Sequence, residues 1–219
     1  MLPRILEPEA MDTRSEAVDY DTMDHSEVNH IFVADLLAAG PEPGEILDLG
    51  TGTAQIPIAL CHRDPDARVV VVDLAGHMLR VARQNVERAG LSDRIRMEQV
   101  DAKRLPHRDG QFATVISNSI VHHVAEPRIV LQEAWRVLAD GGLIFLRDLF
   151  RPPDDQTVRR LVDTYAAGAN PHQQQMFEDS LRASLTVDEM RDLVSEFGLD
   201  PTTVRATSDR HWTWVARKT

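Results

Sequence analysis

The chain has 219 residues, 42% of them hydrophobic, which is enough for one α/β domain with a sizeable buried core. Its 24 basic and 35 acidic residues give a net charge of -11, which argues against nucleic acid as a partner. A single cysteine, Cys61, excludes an intrachain disulfide and favours a reducing, cytoplasmic setting. No apolar run approaches the ~18 residues of a membrane span, and the N-terminus lacks the apolar region of a signal peptide, so we expect no membrane partner.

The N-terminal part of the chain is predicted to be an arm followed by a helix. Residues 1–20 are expected to be weakly ordered. Asp24 and Glu27 have the spacing of a capping box, and apolar residues follow at helical spacing as far as Gly40. We predict that residues 1–40 as a whole cover the functional site.

Strands and helices alternate beyond this point, which predicts a parallel sheet with crossover helices. The predicted strands are 46–49, 69–72, 95–100, 113–117 and 143–149. Ligands of open α/β sheets bind beyond the carboxyl ends of the strands. The residues at those ends are Gly50, Asp73, Asp101, Asn118, Arg147 and Asp148.

The C-terminal third departs from this alternation. Residues 151–185 are predicted to be a helical insert that covers an acceptor pocket. Thr186 and Glu189 form a second capping-box pattern, which opens another helix. Residues 202–207 and 212–216 are predicted to be two further strands that form a hairpin.

A glycine-rich turn, DLGTGTA, follows the first strand at residues 48–54. By itself such a turn indicates only a tight strand–helix connection. The dinucleotide pattern G-x-G-x-x-G fails here, because counting from Gly50 puts Gln55 at its last position. The run resembles motif I of the class I S-adenosylmethionine-dependent methyltransferases, D/E-x-G-x-G-x-G, with Ala54 in place of the third glycine.

This resemblance implies a Rossmann-like, doubly wound, mostly parallel sheet of about seven strands over residues 41–219, with S-adenosylmethionine as cofactor. It also implies that the turn meets the methionine part of the cofactor. The turn residues concerned are Asp48, Gly50, Thr51 and Gly52.

Further motifs along the chain carry the same resemblance. VVVVDLAGHML is similar to motif II, which implies that Asp73 accepts hydrogen bonds from the ribose and that Leu74 and Met78 pack against the adenosine. QVDAKRLP implies that Asp101 and the Ala102 amide contact the adenine. Structural alternatives stay open, because an aspartate after a strand also serves as a helix N-cap or as a turn residue.

Two more cofactor contacts are predicted. Asn118, within FATVISNSIVHHV, resembles motif IV, whose backbone faces the methionine end of the cofactor. Tyr20 is an aromatic residue of the N-terminal segment. In related enzymes such a residue approaches the sulfonium, where cation–π attraction favours it. The alternative for Tyr20 is an ordinary surface position.

Four residues are candidates for catalysis. His122 and His123 follow the fourth strand and suit a general base near neutral pH; the alternative is that they only shape the loop. Arg147 and Asp148 are charged residues inside an apolar run, which is costly unless they are paired or functional. We predict no metal site, because neighbouring side chains such as His122 and His123 point apart in an extended segment.

The predicted function is methyl transfer from S-adenosylmethionine to a small-molecule acceptor, in a group similar to the ubiquinone-pathway enzymes. The alternative is a catalytically silent regulatory or assembly protein of the same fold that binds the cofactor or its product, S-adenosylhomocysteine. A macromolecule methyltransferase is disfavoured by the charge and by the lack of an N/D-P-P-Y-type run at Asn118. A homodimer stays open.

Overall fold

A computed structural model describes residues 1–8 and 12–219 of the chain. Residues 9–11, which belong to the predicted arm, lie outside the described residues. The helices are α1 Arg14–Thr22, α2 Ser26–Ala38, α3 Gln55–Arg63, α4 Gly76–Arg88, α5 Pro127–Val137, α6 Asp155–Tyr165, α7 Pro171–Ala183 and α8 Val187–Glu196. The strands are β1 Glu45–Leu49, β2 Arg68–Asp73, β3 Ile95–Gln99, β4 Phe112–Asn118, β5 Leu138–Leu149, β6 Val204–Ala206 and β7 His211–Arg217. Short 3₁₀ turns lie at Val121–His123 and Pro201–Thr203.

The described strands form a seven-stranded sheet in the order β3-β2-β1-β4-β5-β7-β6. Strand β1 pairs in parallel with β2 and β4, β2 pairs in parallel with β3, and β6 and β7 form an antiparallel hairpin. The predicted mostly parallel, Rossmann-like sheet is confirmed. Leu49, at the end of β1, stands opposite Val72 and Ser117, so β1, β2 and β4 end at one edge of the sheet.

The chain divides into two compact units. The first consists of Met1–Glu9, Ser119–Arg128 and Arg147–Trp214, and the second of Ala10–Asn118, Ile129–Leu146 and Val215–Thr219. In the second unit, the four valines 69–72 of β2 are each at most 1% exposed, as expected of a strand covered on both faces. Phe32 of α2 packs edge-on against Phe145, with ring centroids 5.0 Å apart.

Residues 1–8 are held in place within the first unit, although they form no regular structure. The amide of Ile5 donates to the Arg182 carbonyl at 3.1 Å. The Arg4 guanidinium donates to the carbonyls of Ala183 and Val124 at 2.6 and 2.9 Å. The prediction of weak order was therefore wrong for these residues, because backbone acceptors far along the chain hold a segment that has no periodic pattern of its own.

The capping box of the N-terminal region lies at Thr13 and Glu16. Thr13 Oγ1 accepts from the Glu16 amide at 3.2 Å, and Glu16 Oε2 accepts from the Thr13 amide at 3.0 Å. The prediction of a capping box at Asp24 was wrong, since Asp24 accepts from the amide of Ser26 only two residues on, as in an Asx turn. The box predicted at Thr186 is confirmed.

No helix within the described residues is long and apolar enough to cross a membrane.

Candidate functional site

The glycine turn, residues 48–54, leaves β1 in a left-handed backbone conformation. Gly50 and Gly52 have φ of 66° and 56°, which glycine adopts without steric cost. The amides of Gly50 and Thr51 both donate to the Val72 carbonyl, at 2.9 and 3.0 Å, so the turn is fastened to the end of β2. Ala54 also has a left-handed φ, of 63°, and is fully buried. Its Cβ costs about 1–2 kcal/mol in this conformation, which explains why the related motif has glycine there.

The carboxylate of Asp73 joins the turn to the start of the next helix. Oδ2 accepts from the Gly52 amide at 2.8 Å, and Oδ1 accepts from the Ala75 amide at 2.8 Å. Burial raises the pKa of this carboxyl above its usual value. Asp73 therefore stabilises two backbone segments, and since a carboxylate has about four acceptor positions, it keeps capacity for ligand hydroxyls.

Tyr20 of α1 lies over the glycine turn. A Cβ added to Gly52 would meet the Tyr20 ring at 3.5 Å, and the ring lies on that of His25 with centroids 4.9 Å apart. Burial raises the pKa of Tyr20 to about 12, with the carboxylates of Asp73 and Asp48 acting in the same direction. The phenol therefore stays neutral at physiological pH.

Helix α1 is anchored beside the turn by Asp21, which the sequence analysis did not single out. The Asn85 side-chain amide donates to Asp21 Oδ1 at 2.8 Å and to the Thr53 carbonyl at 3.0 Å. Gln55 donates to the same carboxylate oxygen at 3.0 Å. These bonds hold the Tyr20 ring near the turn. An acidic residue with partners 34 and 64 positions away leaves no local signal in the sequence.

A pocket opens between this helix and the turn, at the carboxyl ends of β1 and β4. Its walls contain the predicted residues Tyr20, Asp48, Gly50, Thr51 and Asn118. The other lining residues were not predicted as cofactor contacts; they are His25, Asn29, Thr53, Gln55 and Ile56.

Polar atoms in this pocket lack partners. Within residues 1–8 and 12–219, no group hydrogen-bonds to His25 Nε2, Thr53 Oγ1 or Asn118 Oδ1, although all three atoms are buried. An unpaired buried polar atom costs about 1–3 kcal/mol, so such atoms indicate a polar ligand. An imidazole nitrogen, a hydroxyl and an amide oxygen can together donate and accept, which suits the ammonium and carboxylate of the amino-acid part of S-adenosylmethionine. The residues present therefore fit that cofactor.

Asp48 lies at the base of the pocket and is 3% exposed. Burial raises its pKa to about 7, and the nearby Asp73 carboxylate acts in the same direction. Asp48 thus titrates near neutrality, and a cationic ligand in the pocket would favour its charged form.

The remaining predicted cofactor residues have mixed environments. Met78 is 3% exposed and packs with Ala17 and Ala75, whereas Leu74 is 41% exposed. Asp101 Oδ1 accepts from the Lys103 amide at 2.9 Å. This bond is typical of a turn residue, which was the alternative to an adenine contact. Ala102 is 7% exposed. The cofactor contacts of these four residues stay predictions.

The first unit contains a histidine–carboxylate cluster, which consists of Glu7, His122, His123 and Asp148. His122 Nδ1 lies 2.5 Å from Asp148 Oδ1, and His122 Nε2 lies 3.3 Å from Glu7 Oε1. His123 Nδ1 lies 3.2 Å from the same Glu7 oxygen. The prediction that the two histidines point apart was wrong, because they lie in a 3₁₀ turn and their ring centroids are 4.2 Å apart.

Asp148 is the centre of the hydrogen bonding in this cluster. Besides His122, it accepts from the amides of Val121 and Leu149 at 2.6 and 2.7 Å. Burial alone would raise the pKa of Asp148, but His122 and the Leu149 amide lower it. Burial alone would lower the pKa of His122, but the Asp148 and Glu7 carboxylates raise it. Burial lowers the pKa of His123 to about 3.

Arg147, the fourth catalytic candidate, is 5% exposed and donates from Nε to Thr213 Oγ1 at 2.9 Å. Glu7 is the member of the cluster that the sequence analysis missed. It lies 115 positions before His122 in a segment without helical or strand periodicity, so no pattern in the sequence marks it.

Comparisons with known proteins agree with this architecture. The profile of a family described as "Methyltransferase domain" matches residues 46–142. The chain is 39% identical over 153 residues to malonyl-[acyl-carrier protein] O-methyltransferase of Geobacter sulfurreducens, covering 69% of this chain and 55% of that protein. It is 38% identical over 117 residues to demethylmenaquinone methyltransferase of Thermus thermophilus, covering 53% and 52%. The chain thus spans about half the length of these curated relatives.

Solved structures show the same fold. One is an S-adenosyl-L-methionine-dependent methyltransferase structure from Methanococcus maripaludis, with a TM-score of 0.76, 20% identity and coverage of 98% of this chain and 97% of that one. Another is a SAM-dependent methyltransferase from Aquifex aeolicus, with a TM-score of 0.69, 17% identity and coverage of 94% and 99%. The resemblance to the class I S-adenosylmethionine-dependent methyltransferases is confirmed, with residues 46–142 matching the methyltransferase domain.

Proposed function

We propose that this class I methyltransferase chain transfers the methyl group of S-adenosylmethionine to a small-molecule acceptor. The observation that carries the proposal is the pocket at the glycine turn, where buried polar atoms of His25, Thr53 and Asn118 have no partner among the described residues. The methyltransferase domain matched over residues 46–142 supports the same reaction.

The bound cofactor supplies a methyl carbon that its sulfonium has already activated. The protein therefore has to bind the donor, align the acceptor and exclude water. Asp73 holds Gly52 and Ala75 in position and accepts from the ribose. The Tyr20 ring provides a neutral aromatic surface for the sulfonium. Asp48, with its pKa of about 7, provides a negative charge for the cationic donor.

The acceptor is proposed to be a small molecule. Two curated relatives are named for a quinone precursor and for a malonyl thioester, so both chemistries belong among the acceptors to be tested. The net charge of -11 supports the proposal that nucleic acid is not the acceptor.

The catalytic roles predicted for His122, His123, Arg147 and Asp148 remain part of the proposal. The bonds of Asp148 to His122 support a positioning role for this carboxylate. His123, with its pKa of about 3, is neutral but only a weak base, so its proposed role as a proton acceptor depends on close contact with the acceptor.

The test is label transfer from methyl-labelled S-adenosylmethionine. The protein is incubated with labelled donor and fractionated small metabolites, together with a demethylmenaquinone and a malonyl thioester. Transfer to one compound, absent in Asp73→Ala, supports the function. Tight donor binding without transfer to any fraction would contradict it and favour the silent regulatory alternative.

We further propose a cytoplasmic protein without a membrane partner. Its free, buried Cys61 agrees with a reducing setting. A homodimer is tested by light scattering of the purified chain.

A further inference from the structure

Three potential metal ligands converge within the histidine–carboxylate cluster. Glu7, His122 and His123 each offer one ligand atom, and these atoms lie within 4.8 Å of one another. Glu7 Oε1 is 3.3 Å from His122 Nε2 and 3.2 Å from His123 Nδ1. Ligands at 2.0–2.1 Å in a tetrahedral zinc site lie about 3.3 Å apart. We propose that Glu7, His122 and His123 bind a divalent metal ion of the zinc type.

The position of His123 Nδ1 supports this site. The atom is buried and has no hydrogen bond from any described residue, yet it lies 3.2 Å from Glu7 Oε1. A ring nitrogen without a hydrogen has a lone pair, and a carboxylate oxygen is an acceptor only. A cation between these two atoms satisfies both.

His122 is arranged as metal-binding histidines usually are. Its Nδ1 is hydrogen-bonded to Asp148, and its Nε2 is directed at Glu7. A carboxylate on the second ring nitrogen fixes the tautomer and orientation of a histidine ligand. Asp148 is itself fixed by the amides of Val121 and Leu149, so the orientation of His122 is set before any ion binds.

The charges of the cluster fit a divalent ion. Glu7 is 12% and Asp148 1% exposed in their side chains, so two carboxylates share an environment with little solvent. The Arg4 guanidinium, whose charge acts on His122, donates to the backbone carbonyls of Ala183 and Val124. One ion of charge +2 balances the two carboxylates and leaves both histidines neutral.

The donor set selects the type of ion. Two imidazole nitrogens and one carboxylate oxygen suit zinc and its transition-metal neighbours rather than magnesium or calcium, which prefer oxygen ligands. Three protein ligands leave at least one coordination position open, as in catalytic rather than structural zinc sites. The proposed ion would therefore have a coordination position free for an oxygen, nitrogen or sulfur atom.

The test is metal binding to the tag-free chain after treatment with a chelator. Co²⁺ is titrated in the visible range, because tetrahedral cobalt gives intense absorption bands, and Zn²⁺ is then added to displace it. We expect one equivalent of Co²⁺ to bind and one equivalent of Zn²⁺ to abolish the bands. Glu7→Gln and His123→Ala should each weaken the binding at least about tenfold, and Asp148→Asn about 10- to 100-fold. His62→Ala, at an exposed histidine outside the cluster, is the matched control and should bind as the wild type does.

Two results would overturn the proposal. One is wild-type protein that binds less than one equivalent of Co²⁺ or Zn²⁺ at micromolar concentration. That result would mean that hydrogen bonds among the side chains, without a metal ion, hold the cluster together. The other is binding that Glu7→Gln and His123→Ala leave unchanged. Circular dichroism of each metal-free variant excludes unfolding as the cause of lost metal binding. If His123→Ala does not fold, the nearly isosteric Glu7→Gln decides the test. No methyl donor is present, so the result is independent of the proposed methyl transfer.

Discussion

The carboxylate of Asp73 accepts a hydrogen bond from the amide of Gly52 at 2.8 Å, across 21 positions of the chain. The residue at the end of β2 thereby fixes the conformation of the turn that follows β1. The helix N-cap alternative for Asp73 is not what the structure shows, because α4 has Ala75 as its N-cap. Asp73 acts on the backbone of two segments, and we expect donor binding to depend on both.

Replacement of Asp73 should weaken the binding of S-adenosylmethionine. We expect Asp73→Ala to raise the dissociation constant more than tenfold, because the ribose loses its acceptor and Gly52 loses its partner. Asp73→Asn keeps one acceptor oxygen and should cost less. Isothermal titration calorimetry measures both, with Asp66→Asn, an exposed aspartate, as control. Equal affinity of wild type and Asp73→Ala would refute the ribose assignment.

Tyr20 should discriminate between the cofactor and its product, since only the cofactor carries the sulfonium charge. Tyr20→Leu keeps bulk over Gly52 but removes the ring, so we expect about tenfold weaker binding of S-adenosylmethionine, from the ~1–2 kcal/mol of a buried cation–π contact. Binding of S-adenosylhomocysteine should change much less, and Tyr20→Phe should bind both like the wild type. A parallel loss for both compounds in Tyr20→Leu would show that the ring only fills space.

His123 should affect turnover but not donor binding. It lies outside the residues that line the glycine-turn pocket, so His123→Ala should leave the dissociation constant of S-adenosylmethionine within about twofold. We expect turnover to fall about tenfold, less than the 10²–10⁴ on the order of which a proton-transfer residue with a matched pKa contributes, because the pKa of His123 is about 3. Steady-state rates with the acceptor found by label transfer, compared with His62→Ala, measure this. Full activity of His123→Ala would reduce it to a loop residue.

The sheet and its polar edge could be predicted because both leave local signals. The four valines before Asp73 indicate a strand buried on both faces, and parallel strands bring their carboxyl ends to one edge, where Gly50 and Asn118 line the same pocket. The cluster could not be predicted in this way. Glu7 has no periodic context, and the mutual orientation of His122 and His123 depends on a 3₁₀ turn that alternation arguments do not anticipate.

Cap positions show the same limit on a smaller scale. Both Asp24 and Thr13 have a glutamate three residues on, so the sequence allows two boxes. The structure forms the one at Thr13, because Asp24 instead bonds to Ser26, whose hydroxyl and amide are both within reach. Competition between a capping box and an Asx turn is decided by backbone angles that the sequence does not state.

Asp48 should make the stability of the ligand-free protein depend on pH. Its folded-state pKa of about 7 lies above the unfolded value of about 3.9, so between these values the folded protein holds a proton that the unfolded chain has released. The stability that the retained proton of Asp48 gives the folded state is therefore fully present below about pH 4 and is lost as the pH rises through 7. The upper bound on this change in the free energy of unfolding is about 4 kcal/mol, from three pH units at 1.36 kcal/mol each.

Asp48→Asn removes this titration with little change in shape. At each pH, the free energy of unfolding of the wild type is subtracted from that of Asp48→Asn. We expect this difference to be a few kcal/mol larger at pH 8 than at pH 4.5. Urea denaturation at both pH values measures it. Asp66→Asn controls for the removal of one charge from an acidic protein. Parallel pH profiles for wild type and Asp48→Asn would contradict the assignment.

Arg151 should be a main determinant of stability in the first unit. Its side chain is 4% exposed and donates to the carbonyls of Leu2 and Ser184 at 3.0 and 2.7 Å, and to Glu189 at 2.6 Å. Arg151→Met leaves these acceptors without a donor. Because Glu189 is 43% exposed and can be rehydrated, we expect a loss of about 2–4 kcal/mol, below the upper end for a fully buried pair.

The matched control for Arg151 is Arg191, which is 42% exposed, pairs with Asp188 at 3.2 Å and donates to the Val204 carbonyl at 3.3 Å. Arg191→Met should cost at most about 1–2 kcal/mol, since an exposed pair contributes about 0–1 kcal/mol and one further hydrogen bond about 0.5–1.5 kcal/mol. Arg151→Lys keeps the charge but cannot reach three acceptors at once with the same geometry, so its loss should lie between the two. Urea denaturation, followed by circular dichroism, compares the three variants. Equal free energies of unfolding for Arg151→Met and Arg191→Met would contradict the prediction that Arg151 is a main determinant of stability in the first unit.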